Sequence, residues 1–128
     1  MLEKGIQGAA EIVVTPEVTA AHLGSGAVAV FATPMMIALV EKACMLSVRP
    51  FLEEGQDTVG TQVNISHSAA SPLGSTVRCE TTLVEVDRRR LVFSAKVYDD
   101  DGIVGEGTHE RFIIDRERFL AKVEKKRR

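Results

Sequence analysis

The chain has 128 residues, 45% of them hydrophobic and 27% charged, with a formal net charge of −2. That length fits one domain over residues 1–128 with one core, of ordinary soluble globular composition. The near-neutral balance excludes a global basic field that recruits nucleic acid, and two cysteines exclude a disulfide scaffold.

The start, Met1-Leu2-Glu3-Lys4-Gly5, is too short and polar for a signal peptide. A first strand is expected over Glu11 to Thr15, ended by Pro16. His22-Leu23-Gly24-Ser25-Gly26 signals a loop, and Ala27 to Phe31 an extended piece. Thr33 then reads as a helix N-cap and Pro34 as the first helical residue. From Met35 to Leu52 apolar residues occupy almost every side, which predicts an enclosed helix. Glu41, Lys42 and Arg49 interrupt the run, so it is a buried helix rather than a membrane span. A cytoplasmic protein without membrane contact is the expectation.

After Gly55 the chain turns strand-like. Val59, Thr61, Val63, Ile65 and His67 alternate with Gly60, Gln62, Asn64 and Ser66, which places the two sets on opposite faces. Ser68 to Gly74 is a loop and Thr76 to Val86 a long strand. Asp87-Arg88-Arg89-Arg90 is a solvated turn, and Leu91, Phe93, Ala95 and Val97 share a face of the next strand. Asp99-Asp100-Asp101-Gly102 is a turn before a last strand, Ile103 to Ile114. A short helix over Asp115 to Val123 runs into the basic tail Lys122 to Arg128, expected to be frayed and solvated. Cys44, mid-helix, and Cys79, mid-strand, sit among apolar residues as small buried hydrophobes.

Four consecutive strands joined by tight turns are expected to pair antiparallel. Their apolar face needs a cover that only the long helix is big enough to give. The predicted fold is therefore α+β, an antiparallel sheet wrapped around a central helix, the hot-dog arrangement. Its exposed edge and shallow core favour a homodimer.

Glu41 has Ile37, Ala38, Cys44 and Met45 as helical neighbours, so its carboxylate is expected to be desolvated and suited to base or nucleophilic work. Pairing with Lys42 or a strand arginine, or a rim position, is the bland alternative. His67 shares a strand face with Val63 and Ile65 and points toward the helix, either as a core histidine or as an acid or base. Thr33, besides capping, lies beside first-turn amides that favour a developing oxyanion. Gly60 inside a strand marks a bulge or a close ligand approach, a hint repeated at Gly105 and Gly107. Arg111, on one face with His109, suits a carboxylate or phosphate, with a cross-strand charge pair as the simpler reading. No metal spacing, phosphate-binding glycine loop or serine elbow occurs, so no metal or cofactor is expected.

These residues also carry a resemblance. Val30-Phe31-Ala32-Thr33, Glu41 eight residues on and Ala43-Cys44-Met45 are similar to the helix of the fluoroacetyl-CoA thioesterase family. Gly60-Thr61, His67-Ser68-Ala69-Ala70, Gly107-Thr108-His109-Glu110-Arg111 and Phe119-Leu120-Ala121-Lys122-Val123 extend the match over nearly the whole chain. The resemblance implies a hot-dog homodimer with active sites at the subunit interface, hydrolysing an acyl-CoA to a carboxylic acid and free CoA. It implies Thr33, Glu41 and His67 as catalytic residues. Glu41 would attack directly or activate water, Thr33 would orient it, His67 would act as acid or base, and the Gly60 amide would hold the thioester carbonyl. Fluoroacetyl-specific members carry a longer, phenylalanine-bearing lid before the helix. Here Gly24-Ser25-Gly26-Ala27 is short, with no aromatic before Phe31, which implies a different small acyl group or a broad range. A binding module that holds acyl-CoA uncleaved, or a dehydratase or isomerase on the same fold, are the other classes.

Overall fold

The computed structural model describes residues 1–127; Arg128, last of the basic tail, lies outside them. In chain order the elements are β1 (Gln7–Val13), α1 (Ala20–Leu23), α2 (Thr33–Val48), β2 (Gln56–His67), β3 (Thr76–Asp87), β4 (Arg90–Asp99), β5 (Gly102–Asp115) and α3 (Arg116–Glu124). The five strands form one antiparallel sheet in the order β1-β3-β4-β5-β2, curled around α2 as the hot-dog arrangement requires.

Two strands differ from expectation, and His22 and Leu23, expected in a loop, belong to α1. The first strand starts earlier, at Gln7, because Glu11 and Ile12 are already the far half of a ladder against Arg78 and Val77. β2 does not pair with β3: it lies beside β5, at the opposite side of the sheet from β1. The connection 68–75 is a loop as expected, but it crosses the fold instead of closing a hairpin, held by the Ser68 amide on the Val104 carbonyl and a bridge from Pro72 to Val30. The hairpins β3–β4 and β4–β5 are as expected. The long helix stops at Val48, and Arg49–Phe51 tightens into a 3₁₀ turn where Pro50 cannot supply an amide.

Met36, Leu39, Val40, Ala43, Cys44 and Val48 of α2 are buried against the inner face of the sheet, where Val77, Cys79, Leu83, Leu91, Phe93 and Val97 meet them. Removing each such larger side chain from water contributes about 1.5–3 kcal/mol. The helix is not enclosed within one chain: Thr33, Pro34, Ala38, Lys42 and Leu46 are exposed on its other side. β2 is equally bare. Gly60 to Asn64 are exposed and one edge of the strand has no neighbour, which leaves its outward amides and carbonyls unpaired.

Candidate active site

The alternation of β2 breaks at Thr61. Gly60 pairs with Arg111 and Gln62 with Glu110, so Thr61 is an extra residue, a β-bulge. Its hydroxyl donates to the Glu110 carbonyl at 3.2 Å. The extra residue reverses the phase of the strand. Thr58 and Gly60 therefore share the helix-facing side with Val63, Ile65 and His67, instead of opposing them as strict alternation predicts. Gly60 faces Glu41 so closely that a Cβ there would lie 2.6 Å from Glu41 Oε2, 3.1 Å from His109 Cε1 and 3.4 Å from Arg111 Nη1.

Glu41, Gly60 and Arg111 thus converge. Arg111 is buried although charged, and its partners explain how. Nε donates to Thr58 Oγ1 at 2.8 Å, Nη2 to the Thr58 carbonyl at 2.9 Å, and Nη1 lies 3.2 Å from His109 Nε2. Nη1 also lies 3.7 Å from Glu41 Oε2. Burial pulls the guanidinium pKa down, and the Glu41 charge opposes that shift. The expected desolvation of Glu41 is not met in the single chain: its side chain is 41% exposed and faces a cation. Of the two readings of Arg111, the carboxylate pair is present, formed with the helix rather than across strands. Thr58 and the role of His109 were not singled out from sequence. His109 was readable on the Arg111 face, whereas Thr58 was hidden by the bulge that turns it inward.

The second cluster lies at the other end of α2. Ala32, at φ −78° and ψ 137°, precedes the helix, and Thr33 and Pro34 both belong to its first turn. Thr33 is not the cap. Its hydroxyl makes a 2.8 Å hydrogen bond with His67 Nδ1. The amides of Met35 and Met36 both reach the Ala32 carbonyl and Pro34 has none, so the first turn offers no pair of free donors for an oxyanion. His67 Nε2 is buried without a partner. Burial lowers the His67 pKa, so the ring is neutral near pH 7. The Phe31 ring stands edge-on to it, centroids 6.3 Å apart. Beside this pair opens a cleft of about 230 Å³, lined by Ala20, Ser25, Val30, Phe31 and Ala69.

The two clusters are separate within one chain. Eight helical residues place Thr33 about 12 Å along α2 from Glu41, and seven strand residues place His67 roughly 20 Å along β2 from Gly60. Thr33 consequently orients His67 and not its own chain's Glu41.

Gly105 and Gly107 serve packing. A Cβ on Gly105 would lie 2.5 Å from Met36 Sδ, and one on Gly107 would collide with the Asn64 carbonyl. Cys44 and Cys79 are free and buried as expected, and burial pushes both thiols up to about 12. Among the described residues no cluster has the makings of a metal site, and no helix is long and apolar enough to cross a membrane. In the arginine turn, Arg88 is exposed, whereas Arg90 bonds to both Glu85 and Glu110 at 2.8 Å.

Comparison with known proteins is consistent with this arrangement. A fluoroacetyl-CoA thioesterase of Streptantibioticus cattleyicolor is 42% identical over 97 residues, 76% of this chain and 70% of the relative. A solved fluoroacetyl-CoA thioesterase, FlK, superposes with a TM-score of 0.93 at 36% identity, covering 100% of this chain and 99% of that one. Variants of that enzyme have been crystallised with fluoroacetate and CoA and with acetyl-CoA. A thioesterase superfamily member from Thermus thermophilus superposes at 0.89 with 30% identity, covering 96% of this chain and 91% of its own. A hot-dog-like protein from Thermanaerovibrio acidaminovorans, 22% identical over 98% of this chain and 93% of its own, shares the fold at 0.89. Residues 14–117 match the family model described as fluoroacetyl-CoA-specific thioesterase, and on that span the chain belongs to this thioesterase family.

Proposed function

We propose that the protein hydrolyses small acyl-CoA thioesters at two sites, each shared between the subunits of a homodimer. The observation that carries this reading is the meeting of Glu41, Gly60 and Arg111 beside a bare strand edge. If two copies pair antiparallel through β2 about an axis at Asn64, Val63 lies opposite Ile65 and Gln62 opposite Ser66, and the extra residue at Thr61 then brings Gly60 of one opposite the partner subunit's His67. Both residues face the helix side, so such pairing joins Glu41, Gly60 and Arg111 to the partner's Thr33–His67 pair. It also satisfies the open edge and covers the exposed side of α2.

In that site the thioester carbonyl lies beside Glu41 and Gly60, with the Gly60 amide and Arg111 stabilising the oxygen as it gains charge. Glu41 either attacks the carbonyl carbon, expelling CoA thiolate and leaving an anhydride that water cleaves, or takes a proton from the attacking water. The partner's neutral His67 takes a proton from the attacking water, directly or by way of Glu41, and as imidazolium returns it to the CoA thiolate, while Thr33 fixes its ring. The products are a carboxylate and CoA. The lack of an aromatic from Gly24 to Val30 favours a small acyl group other than fluoroacetate, or a broad range. Of the basic tail and Arg111, the tail is the better candidate for CoA phosphate contact, because Arg111 is buried and committed to Thr58 and Glu41.

The test is thiol release from acyl-CoA esters of increasing chain length, with Glu41→Gln beside the wild type. The variant should lose about 10²-fold or more in turnover. An unchanged rate removes Glu41 from the chemistry. Tight binding of the esters by calorimetry, without any thiol release, replaces the reading with a binding module.

A further inference from the structure

We infer that His109 is a positioning residue for this site: a neutral imidazole, protonated on Nδ1, that holds Arg111 toward Glu41 and clamps the bulge that turns Gly60 inward. The hydrogen bonds fix the tautomer. The Gln62 carbonyl, 2.8 Å from Nδ1, can only accept, so Nδ1 carries the hydrogen. The Arg111 guanidinium, 3.2 Å from Nε2, can only donate, so Nε2 offers its lone pair. The ring is fully buried and stacked on Phe93, centroids 6.4 Å apart and planes at 28°, so it has no freedom to exchange these partners.

The two bonds straddle the bulge. Arg111 holds Thr58, before Thr61, and His109 holds Gln62, after it. Together they fix the strand on both sides of the extra residue, and the phase of Gly60 depends on that residue. The same bonds occupy three of the five guanidinium hydrogens: one on Nε, one on Nη2 and one on Nη1. The second Nη1 hydrogen remains for Glu41 and for an oxygen that binds beside Glu41 and Gly60. A protonated His109 would present a second donor to Arg111 and break this arrangement. Burial keeps the ring neutral, and the Arg111 charge adds to that, against opposing effects of the Gln62 carbonyl and of the Glu41 and Glu110 carboxylates.

Two measurements test this. Imidazole ¹⁵N shifts of the wild-type protein, assigned among its three histidines, should show His109 protonated on the δ nitrogen and bare on the ε nitrogen at neutral pH. An Nε2–H tautomer or an imidazolium overturns the inference, whether or not the protein is a thioesterase. The second is a double-mutant cycle on kcat/KM and rests on the thioesterase reading. His109→Asn keeps a donor near Gln62 but does not reach Arg111, and should lower kcat/KM by up to about 10²-fold, as misplacement of a charge-stabilising group does. His109→Gln, which presents an acceptor to Arg111, should recover part of that loss. In an Arg111→Ala background, His109→Asn should add little, because it acts through the missing group. Additive losses overturn the inference; absence of thiol release from the wild type overturns the thioesterase reading instead.

Discussion

Subunit complementation is the sharpest test of the proposed shared site. Mix a Glu41→Gln protein with a His67→Gln protein and let the subunits exchange. Each parent dimer has the same defect in both sites. A heterodimer gathers both defects into one site and leaves the other with intact Glu41, Gly60, Arg111, Thr33 and His67. Random exchange of equal amounts makes half the dimers mixed, each with one good site of two, so the mixture should recover about a quarter of wild-type turnover from nearly inactive parents. The basis is geometric. Thr33 and Glu41 are about 12 Å apart along one helix, too far for a side chain to bridge, while Thr33 and His67 bond at 2.8 Å. The assay is thiol release from acetyl-CoA before and after exchange, with heterodimers counted by native mass spectrometry. Proven heterodimers with no recovered activity would refute the shared site, because then every site contains a defect.

Gly60→Ala should be a kinetic variant rather than a folding one. Its Cβ would lie 2.6 Å from Glu41 Oε2, so the carboxylate must retreat by about 0.8 Å to reach ordinary contact, and a displacement of that size costs up to about 10²-fold in rate. Because the main movement is that of a side-chain end and the His109 ring, 3.1 Å away, need give only by a few tenths of an ångström, Tm should stay within about 5 °C of wild type; full activity, or a collapsed Tm, contradicts this. Acid should weaken the fold. Burial holds His67 and His109 below the usual 6.5, so the unfolded chain takes up protons first as pH falls. The stability they contribute is complete above about pH 6.5 and is lost from there down toward their lowered native values. A Tm that rises on acidification through this window would be the wrong sign. The two cysteines, pushed up to about 12 by burial, should not react with a disulfide reagent in the native protein and should titrate as two thiols in denaturant.

Much of this was legible because periodicity reports burial. The inward Leu91, Phe93, Ala95 and Val97 of β4, the helix from Thr33 and the turn at Asp99 to Gly102 all follow from short-range chemistry. Sheet order did not follow, because nothing local tells β2 to lie beside β5 rather than β3. Thr33 looked like a cap because capping and bonding to a distant histidine demand the same hydroxyl at the same place; only the fold reveals which partner it has. Glu41 was read from its helical neighbours alone, and the cation that meets it comes from the far end of the chain. Gly60 was recognised as unusual yet assigned to the wrong face, since an inserted residue is invisible to a rule that counts by twos.

That inserted residue changes what kind of information position 61 holds. The Thr61 side chain is exposed in the single chain and its hydrogen bond runs to a main-chain carbonyl, so its identity should matter less than its presence. Removing the residue would restore strict alternation and send either Gly60 or the stretch from Val63 to His67 to the outside of the sheet. At this point the gene must preserve a count rather than a letter. A library spanning Gly60 to Val63 should therefore tolerate many substitutions at Thr61 and no single-residue deletion.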